Sequence, residues 1–232
     1  MKKLIALFLI ITTYSCSELQ QVVNQLPGAG LSNDQIATGL KEALDQGIDK
    51  QVSKLTQEDG FYKNDLVKII LPEELQKVDK TLRKIGLSSL ADEGLKVLNR
   101  AAENAVKEGT PIFANAVKEM TFNDAKNILM GPDNAATLYL EEKTSNELYS
   151  KFNPVIKSSL DNVGATQIWS TIIKKYNALP LTVPVNTDLP DYVTGETMQG
   201  VFTMIAFEEN KIRNNISSRS TALLQQVFAL QD

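Results

Sequence analysis

The chain contains no histidine and a single cysteine, and each scarcity removes a class of chemistry. Without an imidazole there is no Ser-His or Cys-His nucleophile pair, no HExxH zinc site and no histidine proton shuttle. One thiol makes neither an intrachain disulfide nor a thiolate zinc cluster. No Ser-x-x-Lys occurs, and Thr81-Leu82-Arg83-Lys84, with the related spacing, sits in an amphipathic helical piece. A basic block is also missing. The 232 residues carry 24 Lys+Arg against 28 Asp+Glu, so no nucleic-acid partner is expected. What survives is carboxylate chemistry or no chemistry.

The longest apolar run, Leu4 to Ile11, follows Lys2 and Lys3. It is too short for a bilayer span, which needs about 20 residues, and suits a secretory h-region. Thr13-Tyr14-Ser15-Cys16 comes next and resembles a bacterial lipobox, with Thr13 where a Leu is usual. The resemblance implies cleavage before Cys16 and lipid attachment to it. Several acyl chains anchor stably where one is marginal. Ser17 rather than Asp follows, which points to outer-membrane sorting. The expected organisation is a signal peptide over 1–15, a polar tether over 16–31 and one helical domain over 32–232. The expected setting is the bacterial cell envelope, on the outer membrane facing the periplasm.

Apolar spacing in the domain is helical. Ile36, Leu40, Leu44, Ile48, Val52 and Leu55 recur every three or four residues, after a capping-box pattern at Ser32 and Gln35. That helix should end near Thr56. Further amphipathic pieces carry Leu75, Val78, Leu82 and Ile85; Ile112, Phe113, Ala116, Val117 and Met120; and Leu148, Phe152, Val155, Ile156 and Leu160. Ile168, Trp169, Ile172, Ile173 and Tyr176 follow, then Val201, Phe202 and Ile205, then Leu223, Leu224, Val227 and Phe228. Pro72, Pro111, Pro132, Pro154 and Pro190 fall at or near helix starts, and Gly86, Gly109, Gly131 and Gly164 at stops. The segment 66–71 reads either as one short strand or as a buried extended connector. Residues 177–191 hold Pro180, Pro184 and Pro190 and read as a crossover loop. The fold class is all-α, a compact bundle of about nine or ten short to medium helices.

Several phrases resemble a known family. They are Asp59-Gly60-Phe61 with Asn64 and Ile69 to Pro72, then Leu98-Asn99-Arg100-Ala101-Ala102-Glu103. Asp124-Ala125, Ile128-Leu129, Gly131, Ala136-Thr137 and Tyr139 add to them, as do Arg219, Leu223-Leu224 and Val227-Phe228. Over residues 35–230 they resemble an uncharacterised family of bacterial secreted helical proteins, a domain of unknown function. The resemblance implies a helical fold and an envelope setting, and brings no activity, substrate or cofactor. The family's Asp-Pro pair before the last helix is replaced here by Asn214-Asn215-Ile216-Ser217-Ser218, so the resemblance does not fix where that helix starts.

The residues most worth weighing are Asn99, Arg100 and Glu103, which are close enough on one helix to touch. They are interleaved with small residues that would admit another helix. One reading is a polar ligand pocket; the preferred one is a buried network, with Asp124, Thr137 and Tyr139 as possible distant members. Gly131-Pro132-Asp133 leads into a helix N-terminus, which could hold an anion, although a plain connection is the simpler reading. The adjacent pairs Glu73-Glu74, Glu141-Glu142 and Glu208-Glu209 read as surface charge, since neighbours on a helix do not face each other. Asn186, Asp188 and Asp191 lack EF-hand spacing, and no metal or cofactor is expected.

The expected function is a non-catalytic, lipid-anchored binding or scaffold module with an unknown envelope protein or lipid as partner. The alternatives are a carboxylate-dependent hydrolase of envelope polymers and a carrier of an apolar ligand.

Overall fold

The computed structural model describes residues 30–71, 76, 79–80, 83–84, 86, 88–178, 180–181, 184 and 188–232. The expected signal peptide, Cys16 and nearly all of the tether lie outside the described residues, as do Leu75, Val78, Leu82 and Ile85.

Ser32 opens α1 (Asn33–Leu55) through the expected capping box. Its hydroxyl accepts from the Gln35 N–H, and the Gln35 side chain accepts in return from the Ser32 N–H. The stripe from Leu40 to Leu55 is buried, and Thr56 caps the C-terminus. Next come α2 (Ser88–Val106), a 3-10 turn at Lys107–Gly109, α3 (Thr110–Glu119) and α4 (Phe122–Leu129). The expected stop at Gly109 is therefore only a 3-10 step, after which Thr110 and Pro111 re-enter helix. A side chain there would press on Phe152, 3.2 Å away.

The long elements are α5 (Ala135–Asp161) and α7 (Leu189–Asn214), separated by α6 (Ala165–Asn177). A 3-10 turn at Ile216–Ser218 and α8 (Ala222–Phe228) close the chain. Asn215 caps the 3-10 turn by accepting from the Ser217 N–H, while the last helix starts later, where Thr221 accepts from the Leu224 N–H and caps α8.

Helices α5 and α7 form the broadest contact and run antiparallel, since Thr137 meets Glu209 and Asn153 meets Thr194. Helix α1 packs across α7, α4 and α8, while α2 lies on α5. At Gly39 an added Cβ would stand 2.7 Å from Val227 Cγ2, so this glycine sets how closely α8 approaches α1.

The helices are fewer than nine or ten among the described residues, and one expected break does not occur. Pro154 lies inside α5 rather than at a start. Phe152, Ile156 and Leu160 are all fully buried, so tertiary packing outweighs the lost backbone bond of a mid-helix proline. Residues 189–214 form one helix. No strand is present among the described residues. The segment 66–71 is the connector alternative, with Val67 and Ile69 buried and Leu66 and Ile70 exposed.

Candidate functional site

The connector reaches the core through α2. Asn99 is fully buried, and its amide does what a partner strand would have done. Oδ1 accepts from the Ile69 N–H at 2.8 Å, while Nδ2 donates to the Ile69 carbonyl at 2.9 Å and to the Leu95 carbonyl at 2.7 Å. One side chain thus satisfies both backbone groups of a buried residue. One turn on, Glu103 accepts from the Phe61 N–H at 3.1 Å and from Arg100 Nη1 at 2.5 Å. Arg100 Nη2 reaches Glu58 at 2.8 Å and Asp59 at 2.7 Å. Asp59 has φ +66°, a left-handed conformation uncommon outside glycine, and Lys63 holds it from the other side. The Lys63 hydrogen bond, with help from Arg100, keeps the Asp59 carboxyl below the usual range. Burial works against the Arg100 charge, yet Glu103, Asp59 and Glu58 together raise its pKa.

The other three expected members do not join this cluster. Asp124 caps its own helix, accepting from the Thr121 N–H at 2.9 Å and the Thr121 hydroxyl at 2.7 Å. Those bonds lower its pKa. The Tyr139 hydroxyl donates to the Ala116 carbonyl at 3.3 Å. Burial first, and then the Asp124 charge, push the phenol pKa up. Thr137 belongs to a separate group built on α7. The network expected from sequence is therefore four separate arrangements: spacing along a helix shows which side chains can meet, not which distant segment they face.

The α7 group is built on Glu208 and Glu209, which the sequence pattern reads as surface charge; the structure reverses that, burying them to 4% and 8% exposed. Being adjacent, they face different neighbours. Glu208 pairs with Lys50 and accepts from Gln51 Nε2 at 2.6 Å. Glu209 crosses to the start of α5, where Asn134 offers no side-chain cap. Its oxygens accept from the Ala136 N–H at 2.9 Å, the Thr137 N–H at 2.8 Å and the Thr137 hydroxyl at 2.7 Å. The turn after Gly131 does lead to a helix end that holds an anion, and the anion is the chain's own carboxylate. Arg213 grips Glu209 at 2.9 Å and donates to the Ile128 and Leu129 carbonyls at the end of α4. Arg219, 3% exposed, caps α7 through the Ile212 and Arg213 carbonyls and pairs with Asp232. Acid thus meets a helix start and base meets helix ends, as the peptide dipoles require.

Two concavities are relevant. The first, lined by Leu44, Gly47, Ile205, Glu208, Glu209 and Arg213 among others, encloses about 20 Å³, room for roughly one water. The second is an open groove of about 440 Å³ between α2 and the C-terminal end of α5, with Arg100 at its edge. No group of three acidic or thiol side chains suited to a metal ion occurs among the described residues. No described helix is long and apolar enough to cross a membrane.

Comparison with curated proteins and with solved structures returned no match for this chain. A family model does match, over residues 30–229, and takes in both polar clusters, both concavities and every described helix. The chain belongs to the family described as "Protein of unknown function (DUF4197)".

Proposed function

We propose that this is a lipid-anchored cell-envelope protein whose helical body is a non-catalytic binding or scaffold module. One observation carries the non-catalytic part. The buried ionisable groups Glu103, Glu208, Glu209, Arg213 and Arg219 are all committed to backbone groups, to one another or, for Glu208 and Arg219, to the side chains of Lys50, Gln51 and Asp232. A hydrolase working through carboxylates needs two of them converging on a cavity large enough for its polymer. Glu208 and Glu209 do border one cavity, but it has room for about one water and both carboxylates are already engaged. An apolar carrier needs a continuous apolar cavity, and that small space does not supply one.

The anchor rests on the sequence around Cys16. Fractionation of the native envelope tests it: the wild type should sediment with membranes and Cys16→Ser should not. Membrane association undiminished in the variant would remove the anchor. For the helical body, Glu208→Gln and Glu209→Gln are the test. A polymer-cleaving activity lost in either variant at unchanged fold would replace the binding reading with the enzyme one.

A further inference from the structure

We infer that the groove between α2 and the C-terminal end of α5 is a binding site for a short zwitterionic peptide. The inference rests on the binding-module reading of the helical body and is independent of the lipid anchor. Its volume, about 440 Å³, lies within the range of small-ligand sites.

Most of the polar groups around it are unpaired within the chain, and Glu93 and Asn162 are exposed. Glu93 and Lys96 stand three residues apart on α2, both line the groove and form no close ion pair with each other, although the Lys96 charge acts at longer range on Asp59. Lys96 is half-buried. Across from them Ser159 and Asn162 are also three apart, at the end of α5. Hydroxyls inside the long helices usually donate to a carbonyl one turn back, as Thr144, Ser145, Ser150, Thr194 and Thr197 do. Ser159, like its neighbour Ser158, does not, and the exposed Asn162 side-chain amide has no partner in the chain. Asn104 gives its oxygen to Lys107 and keeps its N–H₂.

The two charges of opposite sign match a free ammonium at Glu93 and a free carboxylate at Lys96. The amides and the hydroxyl can donate to and accept from peptide groups lying between them. Val97 and Val163 supply apolar surface for small side chains. Arg100 adds no net attraction for an anion, because Glu58, Asp59 and Glu103 already surround its guanidinium.

The probe is tri-alanine, titrated into ¹⁵N-labelled full-length protein in detergent and followed by amide shifts. Saturating shifts are expected at residues 93–104 and 159–163. The N-acetylated and the C-amidated tripeptides should each bind about three- to fivefold more weakly, the scale of one half-exposed ion pair. Lys96→Met should abolish the difference between free and amidated peptide, and Glu93→Gln that between free and acetylated peptide. Neither substitution removes a bond of the fold, so both variants should keep the wild-type melting temperature. Absence of saturating shifts at about 50 mM tripeptide would overturn the inference. So would capped peptides binding as well as the free one, or cap discrimination that survives both variants. An envelope partner retained equally by wild type and the Glu93→Gln, Lys96→Met double variant removes the groove and leaves the binding-module reading standing.

Discussion

Removing one partner from a buried polar group costs more than the bond was worth, because the other partner stays desolvated. That asymmetry ranks the side chains here. Asn99→Ala strands the Ile69 N–H, the Ile69 carbonyl and the Leu95 carbonyl, and should destabilise by about 2–3 kcal/mol. Glu209→Gln leaves Arg213 buried without its counter-ion and weakens the α5 start, and should cost about 3–5 kcal/mol. Lys157→Ala, at an exposed pair with Asp161, should cost less than about 1 kcal/mol. Urea midpoints of the three variants check the order, and a Glu209→Gln midpoint matching that of Lys157→Ala would refute it. Part of this was legible in sequence. The Asn99, Arg100 and Glu103 cluster stood out because polar residues were set among alanines. Its partners did not, since they are backbone groups of the connector, and a backbone N–H leaves no mark in a sequence. Glu208 and Glu209 look like surface charge for a related reason: an adjacent acidic pair looks alike whether its partners are water or a helix end 72 residues away.

At the scale of elements, α5 carries an avoidable defect. Pro154 is exposed in the helix interior, where it removes one backbone bond. Pro154→Ala should stabilise by about 1–3 kcal/mol, read as a higher melting temperature with unchanged helical content. A lower melting temperature would mean that a bend at this position serves the packing on α7. The same helix shows why Pro154 was expected at a boundary: proline punctuates local preference, whereas the buried row of Leu148, Phe152, Ile156 and Leu160 acts through contacts with distant segments. Local signals were sufficient for α1 and α4, whose capping boxes are written within four residues. They were insufficient for 66–71, where a strand-like pattern finds an amide side chain instead of a second strand.

For the whole molecule, the missing histidine shapes the pH response. Asp59, Asp124 and Asp232 have pKa values lowered by hydrogen bonds from Lys63, Thr121 and Arg219. A carboxylate depressed in the folded state contributes stability that is fully present above its unfolded pKa, about 3.9, and is lost as pH falls through the folded value. Asp45 and Glu196 are raised, chiefly by burial, and act in the opposite sense, weakening the fold as they ionise. Melting temperatures should therefore be nearly flat from about pH 6 to 8 and fall below about pH 4. A transition near pH 6.5, where an ordinary histidine titrates, would contradict this account.

The carboxylate that closes the first turn of α5 also sets an order of events in time. Glu209 is made 72 residues after Thr137, so during synthesis the start of α5 waits with its N–H groups open until α7 has emerged. A peptide of residues 135–161 alone should fray at its first turn, and the finished chain gains that turn only when α5 and α7 dock. The two longest helices thus complete each other, and no N-terminal fragment ending before residue 209 holds the finished architecture.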